Sequence, residues 1–419
     1  MKVYSIDGGW FVLLNPILLA AVVLAAALLL PRKRAAAGQI IVETREPGQT
    51  PLARTGVRTL IAALTWAALF AAGCLLLGDR GFARLQTFLH LFNQNACLLC
   101  LACGMTCVMM TGGVDLSGGG VAALTCAILA AGMEQYGLDP AVLLPLALVI
   151  GALFGLLQGF LIGYLDAPAP LITFAGMYLA RGAANIINGN SMIPIRSDTW
   201  FKAAAGFRLE IPVEGVLLGS RPGVSYPFLT IPALAAIAVL LLVGLLLKFS
   251  RWGRSLYAAD GALDENTAGA DPRRAKLIAY ALSGGLAAFG GVCYCMYIMS
   301  STPALGQGLE MKALFSAVIG GALLTGGSGS VLGALFGVLA VGTAQSIISF
   351  HPDLGRFGSA LIDLATVALA LPFLTAQAVI FRRQPEDAED GSAPEDADGT
   401  SDASQSSNDK GELIDNEQA

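Results

Sequence analysis

Charge is scarce in this chain. Only 13% of its 419 residues are Asp, Glu, Lys or Arg, about half the share usual in soluble domains. Histidine is scarcer: His90 and His351 are the only two, they stand far apart, and neither sits in a cluster that would ligate a metal. No nucleophile, base and orienting acid occur in a pattern that suggests catalysis, so no catalytic residues and no bound cofactor are expected. A Gly-x-x-x-x-Gly-Lys-Ser/Thr loop is also missing. Without that phosphate cradle the chain cannot be its own ATP-driven motor. What remains is apolar: 55% hydrophobic residues and 50 glycines, with a mean hydropathy of +0.67. That is far more apolar sequence than one soluble core needs, and glycine suits close helix packing in lipid.

The expected fold is therefore an all-α, polytopic membrane bundle. Apolar segments approaching the length of a bilayer crossing lie near 10–30, 59–78, 88–110, 118–133, 141–165, 169–188, 227–248, 277–299, 311–325, 331–349 and 359–380. Segments 118–133 and 311–325 are short or broken by glycine and need not span alone. The first, Trp10 to Leu30, is followed by Pro31-Arg32-Lys33-Arg34. A cleavable signal carries its positive charges in front, so this segment is expected to be a retained anchor. Residues 1–58 then comprise an extra transmembrane helix and a linker, and 59–384 the transmembrane domain. The stretch 385–419, with twelve acidic residues and a single lysine, is expected to be a disordered, solvated tail. Lys and Arg concentrate in 31–58, 250–276 and 381–384, which puts those segments and the tail in the cytoplasm and the amino terminus outside.

Between two apolar runs stands Thr111-Gly112-Gly113-Val114-Asp115-Leu116-Ser117-Gly118-Gly119-Gly120. Backbone that cannot stay helical at membrane depth must line a cavity or be buried in protein, so this stretch reads as a hinge in a transport pathway or as a tight turn. Ionisable groups inside apolar segments are costly and need a partner or a role. Arg181, with Asn185 at i+4, either staples helices by pairing with a carboxylate such as Asp115 or Asp166, or faces a pathway. Asp115 and Ser117 precede an apolar helix, where they can cap it or meet a solute. Asn93, Gln94 and Asn95 are expected to open a helix at its outer end, where they could hydrogen-bond a neutral polyol. Glu310 and Lys312 are expected to form a pair at the outer rim of 311–325. Cys97, Cys100, Cys103 and Cys107 have iron–sulfur spacing, yet they fall in a continuous apolar helix without the usual following proline and are expected to act as small hydrophobes.

Several segments resemble one family. They are Gly112-Gly113-Val114-Asp115-Leu116-Ser117; Thr173 through Arg181-Gly182; Gly253-Arg254-Ser-Leu-Tyr257; Gly269 through Arg273 and Lys276 to Tyr280-Ala-Leu-Ser283-Gly284; and Glu310 through Gly320-Gly321 to Gly333. In this order, from about Leu89 to Leu371, the chain is similar to the permease subunits of bacterial ATP-binding-cassette sugar importers of the ribose/xylose/galactofuranose type. The resemblance implies about ten family-type helices, which leaves 10–30 as an addition. It further implies a second permease copy or paralogue, cytoplasmic ATP-binding subunits, an extracellular sugar-binding protein or lipoprotein, and a place in the bacterial plasma membrane. The loop 250–276 would then couple to the ATPase through Arg254, Tyr257, Asp264, Glu265, Gly269 and Arg273. Asn93, Gln94, Asn95, Asp115, Ser117, Arg181, Asn185 and Glu310 would belong to the translocation pathway or its gate. A nucleoside importer permease is the near alternative, and an ion-coupled secondary transporter the distant one.

Overall fold

A computed structural model describes residues 55–211, 227–258, 271–351, 354 and 358–382. The expected helix 10–30, nearly all of the linker 31–58, loop residues 259–270 and the tail 385–419 lie outside the described residues. The described residues from Thr55 to Thr375 belong to one compact unit.

Twelve helices follow one another among the described residues. They are α1 (Thr55–Leu77), α2 (Leu85–Met109), α3 (Gly118–Glu134), α4 (Pro140–Tyr164), α5 (Ala169–Asn188), α6 (Trp200–Gly206), α7 (Ile231–Phe249), α8 (Arg251–Ala258), α9 (Pro272–Ile298), α10 (Leu309–Ile319), α11 (Val331–Phe350) and α12 (Gly358–Arg382). Two small antiparallel ribbons accompany them: β1 (Ile193–Pro194) with β4 (Ser300–Ser301), and β2 (Arg208–Glu210) with β3 (Phe228–Thr230). Local chemistry sets the boundaries. Asp139 accepts from Ala141 N at 2.8 Å ahead of Pro140, and Asp271 accepts from Arg273 N at 3.0 Å ahead of Pro272. Both are N-caps followed by proline at the first helical position, where its missing N–H costs nothing.

Seven helices, α1, α2, α4, α7, α9, α11 and α12, are long and apolar enough to cross a membrane. The most apolar stretch of α2 is 94% buried, whereas those of α4, α7 and α12 are 28%, 33% and 11% buried. So α2 is the axis of the bundle, in contact with α7, α9, α10 and α11, and the others form its wall. Leu153, Leu157, Leu241, Leu242, Leu364 and Leu371 point outward from that wall, a pattern suited to lipid and unsuited to water.

Three expected spans are not ordinary crossings. Helix α3 begins inside the bundle. Helix α10 has 11 residues, about 16 Å, half a bilayer. The expected segment 311–325 stops at Ile319 because Gly320 and Gly321 end it, with Gly321 at φ 90°. Helix α5 has 20 residues but carries Arg181, Asn185 and Asn188 on one side, so length alone does not make it an apolar span.

Close approach joins α4 to α9. Gly151, Gly155, Gly159 and Gly163 recur every fourth residue along one side of α4. A Cβ at Gly155 would collide with the Tyr280 carbonyl oxygen, and one at Gly159 would lie 2.9 Å from the Leu277 oxygen. Small residues at this spacing let two backbones touch, the usual packing device in lipid. At the other side of the bundle Trp66, Phe70, Phe82, Phe88, Phe336 and Phe350 interlock at ring distances of 5.4–6.3 Å, fastening α1 to α2 and α11.

Candidate functional site

The end of α2 and the end of α10 are both followed by irregular chain, and this irregular backbone builds the centre of the molecule. After Met109 the chain turns at Gly112, φ 74°, and restarts as α3 at Gly118. The three glycines that open α3 face three different neighbours. Gly118 lies against Leu101 and Ala287, Gly119 against Glu310 and the Gly306 oxygen, and Gly120 against the Met177 oxygen and Ala180. A side chain at Gly119 would displace the Glu310 carboxylate. The amino end of α3 thus meets the amino end of α10 within the bundle, each with an acidic residue beside it. Helix N-termini carry partial positive charge, so Asp115 and Glu310 sit where carboxylates are favoured.

Asp115 is 2% exposed. Its Oδ1 accepts from Ser117 N at 2.9 Å and from Ser117 Oγ at 2.6 Å, and its Oδ2 from Ser283 Oγ on α9 at 2.6 Å. The carboxylate therefore closes a turn into α3 and ties it to α9, rather than bonding the first turn of α3. Ser117 Oγ lies 3.1 Å from Gln158 Oε1 of α4. One hydroxyl proton cannot serve both contacts, and the Gln158 amide nitrogen is buried without a partner; turning that amide satisfies both groups. The Val114 oxygen accepts from Thr173 Oγ1 of α5 and from the Tyr280 hydroxyl of α9, each at 3.3 Å. Irregular backbone here is thus satisfied by side chains from two helices, α5 and α9.

Arg181 is not paired with Asp115 or Asp166. Its Nη2 donates to both carboxylate oxygens of Glu310, at 2.9 and 3.0 Å, and to the Gly306 oxygen at 3.3 Å. The expected helix staple exists with a different acid, one 129 positions further along the chain at the amino end of α10. Glu310 and Lys312 are likewise not a rim pair: Glu310 is 6% exposed and Lys312 reaches Asp363 of α12 at 3.1 Å. A cavity of about 10 Å³, lined by Asp115, Ser283, Glu310, Gly118, Met105 and Ala313 among others, separates the two carboxylates and has room for one water.

Asn93, Gln94 and Asn95 do not open α2 at its end, since that helix starts at Leu85; they stand at a kink within it. They occupy the middle of α2, where Asn95 breaks helical geometry at φ −104°, ψ 16°. Asn93 accepts from Thr230 N at 2.9 Å and donates to the Phe228 oxygen at 3.1 Å, so it holds β3. Asn95 donates to the Leu91 oxygen at 2.9 Å and packs on Gly342. Only Gln94 is exposed. Asn185 is half-buried, with an oxygen lacking a partner. Arg273 is exposed in the first turn of α9. Arg254 and Tyr257 lie on the helical backbone of α8, and Asp264, Glu265 and Gly269 lie outside the described residues.

The four closely spaced cysteines climb about 15 Å along α2 from Cys97 to Cys107, too far to converge on one cluster. Among the described residues no trio of His, Cys, Asp or Glu is arranged to hold a metal ion. Sequence reasoning did not single out Gln158, Tyr280 and Ser283 as site residues. The signal was present for Gln158, the lone amide between Pro140 and Tyr164.

Comparison with known proteins decides what such a bundle is. The family described as the branched-chain amino acid transport system / permease component matches residues 87–367. The chain belongs to this family of permease components. It is 37% identical over 278 residues to the inner membrane ABC transporter permease protein YjfF of Escherichia coli K12, covering 66% of this chain and 80% of that one. It is 33% identical over 290 residues to the fructose import permease protein FruG of Bifidobacterium longum, covering 69% and 82%. With the autoinducer 2 import system permease protein LsrC of Salmonella paratyphi B it shares 30% over 273 residues, 64% and 73% of the two chains. No solved structure matches it. As a permease component with seven helices fit to cross a membrane, it is a multi-pass membrane transport subunit.

Proposed function

We infer that this chain is the translocation subunit of a bacterial plasma-membrane importer for a monosaccharide, driven by separate ATP-binding subunits. An extracellular sugar-binding protein delivers the solute, and a second permease copy or paralogue completes the pathway. The observation that carries this reading is the pair of broken helices, α2–α3 and α10–α11, with buried carboxylates at the meeting amino ends of α3 and α10. Broken helices inside a bundle are where transporters handle polar solutes, and permeases named for fructose and autoinducer 2 import are similar to 69% and 64% of this chain. The phosphate-cradling loop that the chain lacks must come from a partner. The loop 250–276, a mixture of basic and acidic residues, faces the cytoplasm, as does the acidic tail, and the amino terminus lies outside.

The test is uptake into proteoliposomes of radiolabelled pentoses and hexoses. The chain reconstituted with its co-purifying ATPase and binding protein should accumulate one class of sugar only when ATP is supplied inside. Reconstituted alone, it should move none uphill. Accumulation that survives without ATP and collapses with an ion gradient would establish a secondary transporter instead. Replacing residues 255–272 by alanine should leave ATP hydrolysis by the partner and abolish uptake.

A further inference from the structure

One side of α9 follows the α2–α3 break along its whole length. Lys276 and Tyr280 line a cavity of about 200 Å³ together with Thr111, Gly112 and Gly113. Tyr280 also bonds the Val114 oxygen at 3.3 Å, and Ser283 bonds Asp115 at 2.6 Å. Ala287 shares the small cavity with Asp115 and Gly118. These positions are spaced four, three and four residues apart, the repeat of one helix face. The same helix begins at Pro272, within the segment 250–276, and Ser283 stands about 17 Å along it. Its other side is locked to α4 by backbone contact: Gly284 lies against the Gly151 oxygen and Gly155 against that of Tyr280. Against α2 the fit is equally close, with Ser283 Cα 3.0 Å from where a Cβ on Gly104 would fall. A helix held this tightly transmits displacement as a rigid body and has little slack to absorb it.

We propose that α9 carries the stroke of the ATPase from the loop 250–276 into the α2–α3 break, and that Ser283 is the positioning residue through which this displacement reaches Asp115. Asp115 is then a lever point, held by α9 through Ser283 and passing motion to α3 through Ser117. Gln158 keeps α4 in register with the same turn. This proposal rests on the reading of the chain as an ATPase-driven permease.

The test uses the complex of the full chain with its co-purifying ATPase, in nanodiscs, and a non-hydrolysable ATP analogue as probe. Hydrogen–deuterium exchange is followed in residues 271–280 and 110–118. In the wild type the nucleotide should alter exchange in both. In Ser283→Ala the response of 271–280 should persist while that of 110–118 falls at least twofold. Asp115→Ala, which removes the carboxylate that Ser283 bonds, should reproduce the pattern should Ser283→Ala fail to assemble. Combining the two substitutions should add nothing to either alone, since both cut the same link. A wild-type break that ignores nucleotide, or an undiminished response in both variants, would overturn the proposal. Loss confined to 110–118 leaves the permease reading intact. Should 271–280 itself ignore nucleotide, or no ATPase co-purify, the reading of the chain as driven by a separate ATPase falls together with this proposal.

Discussion

Single residues in this molecule are constrained chiefly by what surrounds them within a few ångströms. Gly155 and Gly182 are both helix glycines, yet they should respond oppositely to alanine. At Gly155 the new methyl collides with the Tyr280 carbonyl, whereas at Gly182 nothing lies within 4 Å. Overpacking of this kind costs about 1–3 kcal/mol, while alanine in an open helical position gains up to about 1 kcal/mol over glycine. Gly155→Ala should lower the thermal midpoint of the purified protein in detergent, and Gly182→Ala should leave or raise it. The Arg181–Glu310 pair obeys a different rule. Both side chains are largely buried, at 18% and 8% exposure, so removing one partner strands the other's charge. Glu310→Gln should destabilise by about 3–5 kcal/mol, read as a shift in the same melting curve, and Arg181→Met combined with Glu310→Met should cost much less than either alone.

At the scale of elements, the sequence was legible wherever composition alone determines the outcome. Long apolar runs gave α4, α7, α9 and α11 within a few residues, two of them, α4 and α9, opened by a capping aspartate ahead of a proline, because a segment that must bury every side chain or set it against lipid has few other solutions. Glycines marked where α2 and α10 end. What could not be read was partnership. Arg181 finds Glu310 across 129 residues and Asp115 finds Ser283 across 168, and no local pattern distinguishes these acids from Asp166 or Lys312's partner Asp363. Asn93 to Asn95 misled for a related reason: three amides in a row suggest a helix end at a membrane face, but here the Asn93 amide is satisfied by β3, which folds down onto α2. The four α2 cysteines supply a check at this scale. A single straight helix cannot wrap one cluster with ligands about 15 Å apart, so the purified protein should be colourless with no stoichiometric iron by metal analysis.

For the whole molecule, the question is how much chain the bundle needs. The family match begins at residue 87, yet α1 starts at Thr55 and is not dispensable on physical grounds. Trp66 and Phe70 are 0% and 1% exposed; Trp66 lies 5.8 Å from Phe336 and Phe70 lies 5.7 Å from Phe82, which in turn meets Phe350 at 5.4 Å. Removing α1 would expose the aromatic face shared by α2 and α11, and each large aromatic so uncovered forfeits about 3–5 kcal/mol of packing. Arg58 also bonds Ser328 at 3.0 Å beside the turn that follows α10. A chain starting at residue 51 retains all of these contacts, whereas one starting at residue 83 loses them. The first should elute as a monodisperse species with a melting temperature within a few degrees of the full chain. The second should aggregate on extraction, and a well-behaved, equally stable product from it would show that α2, α9 and α11 close the core without α1.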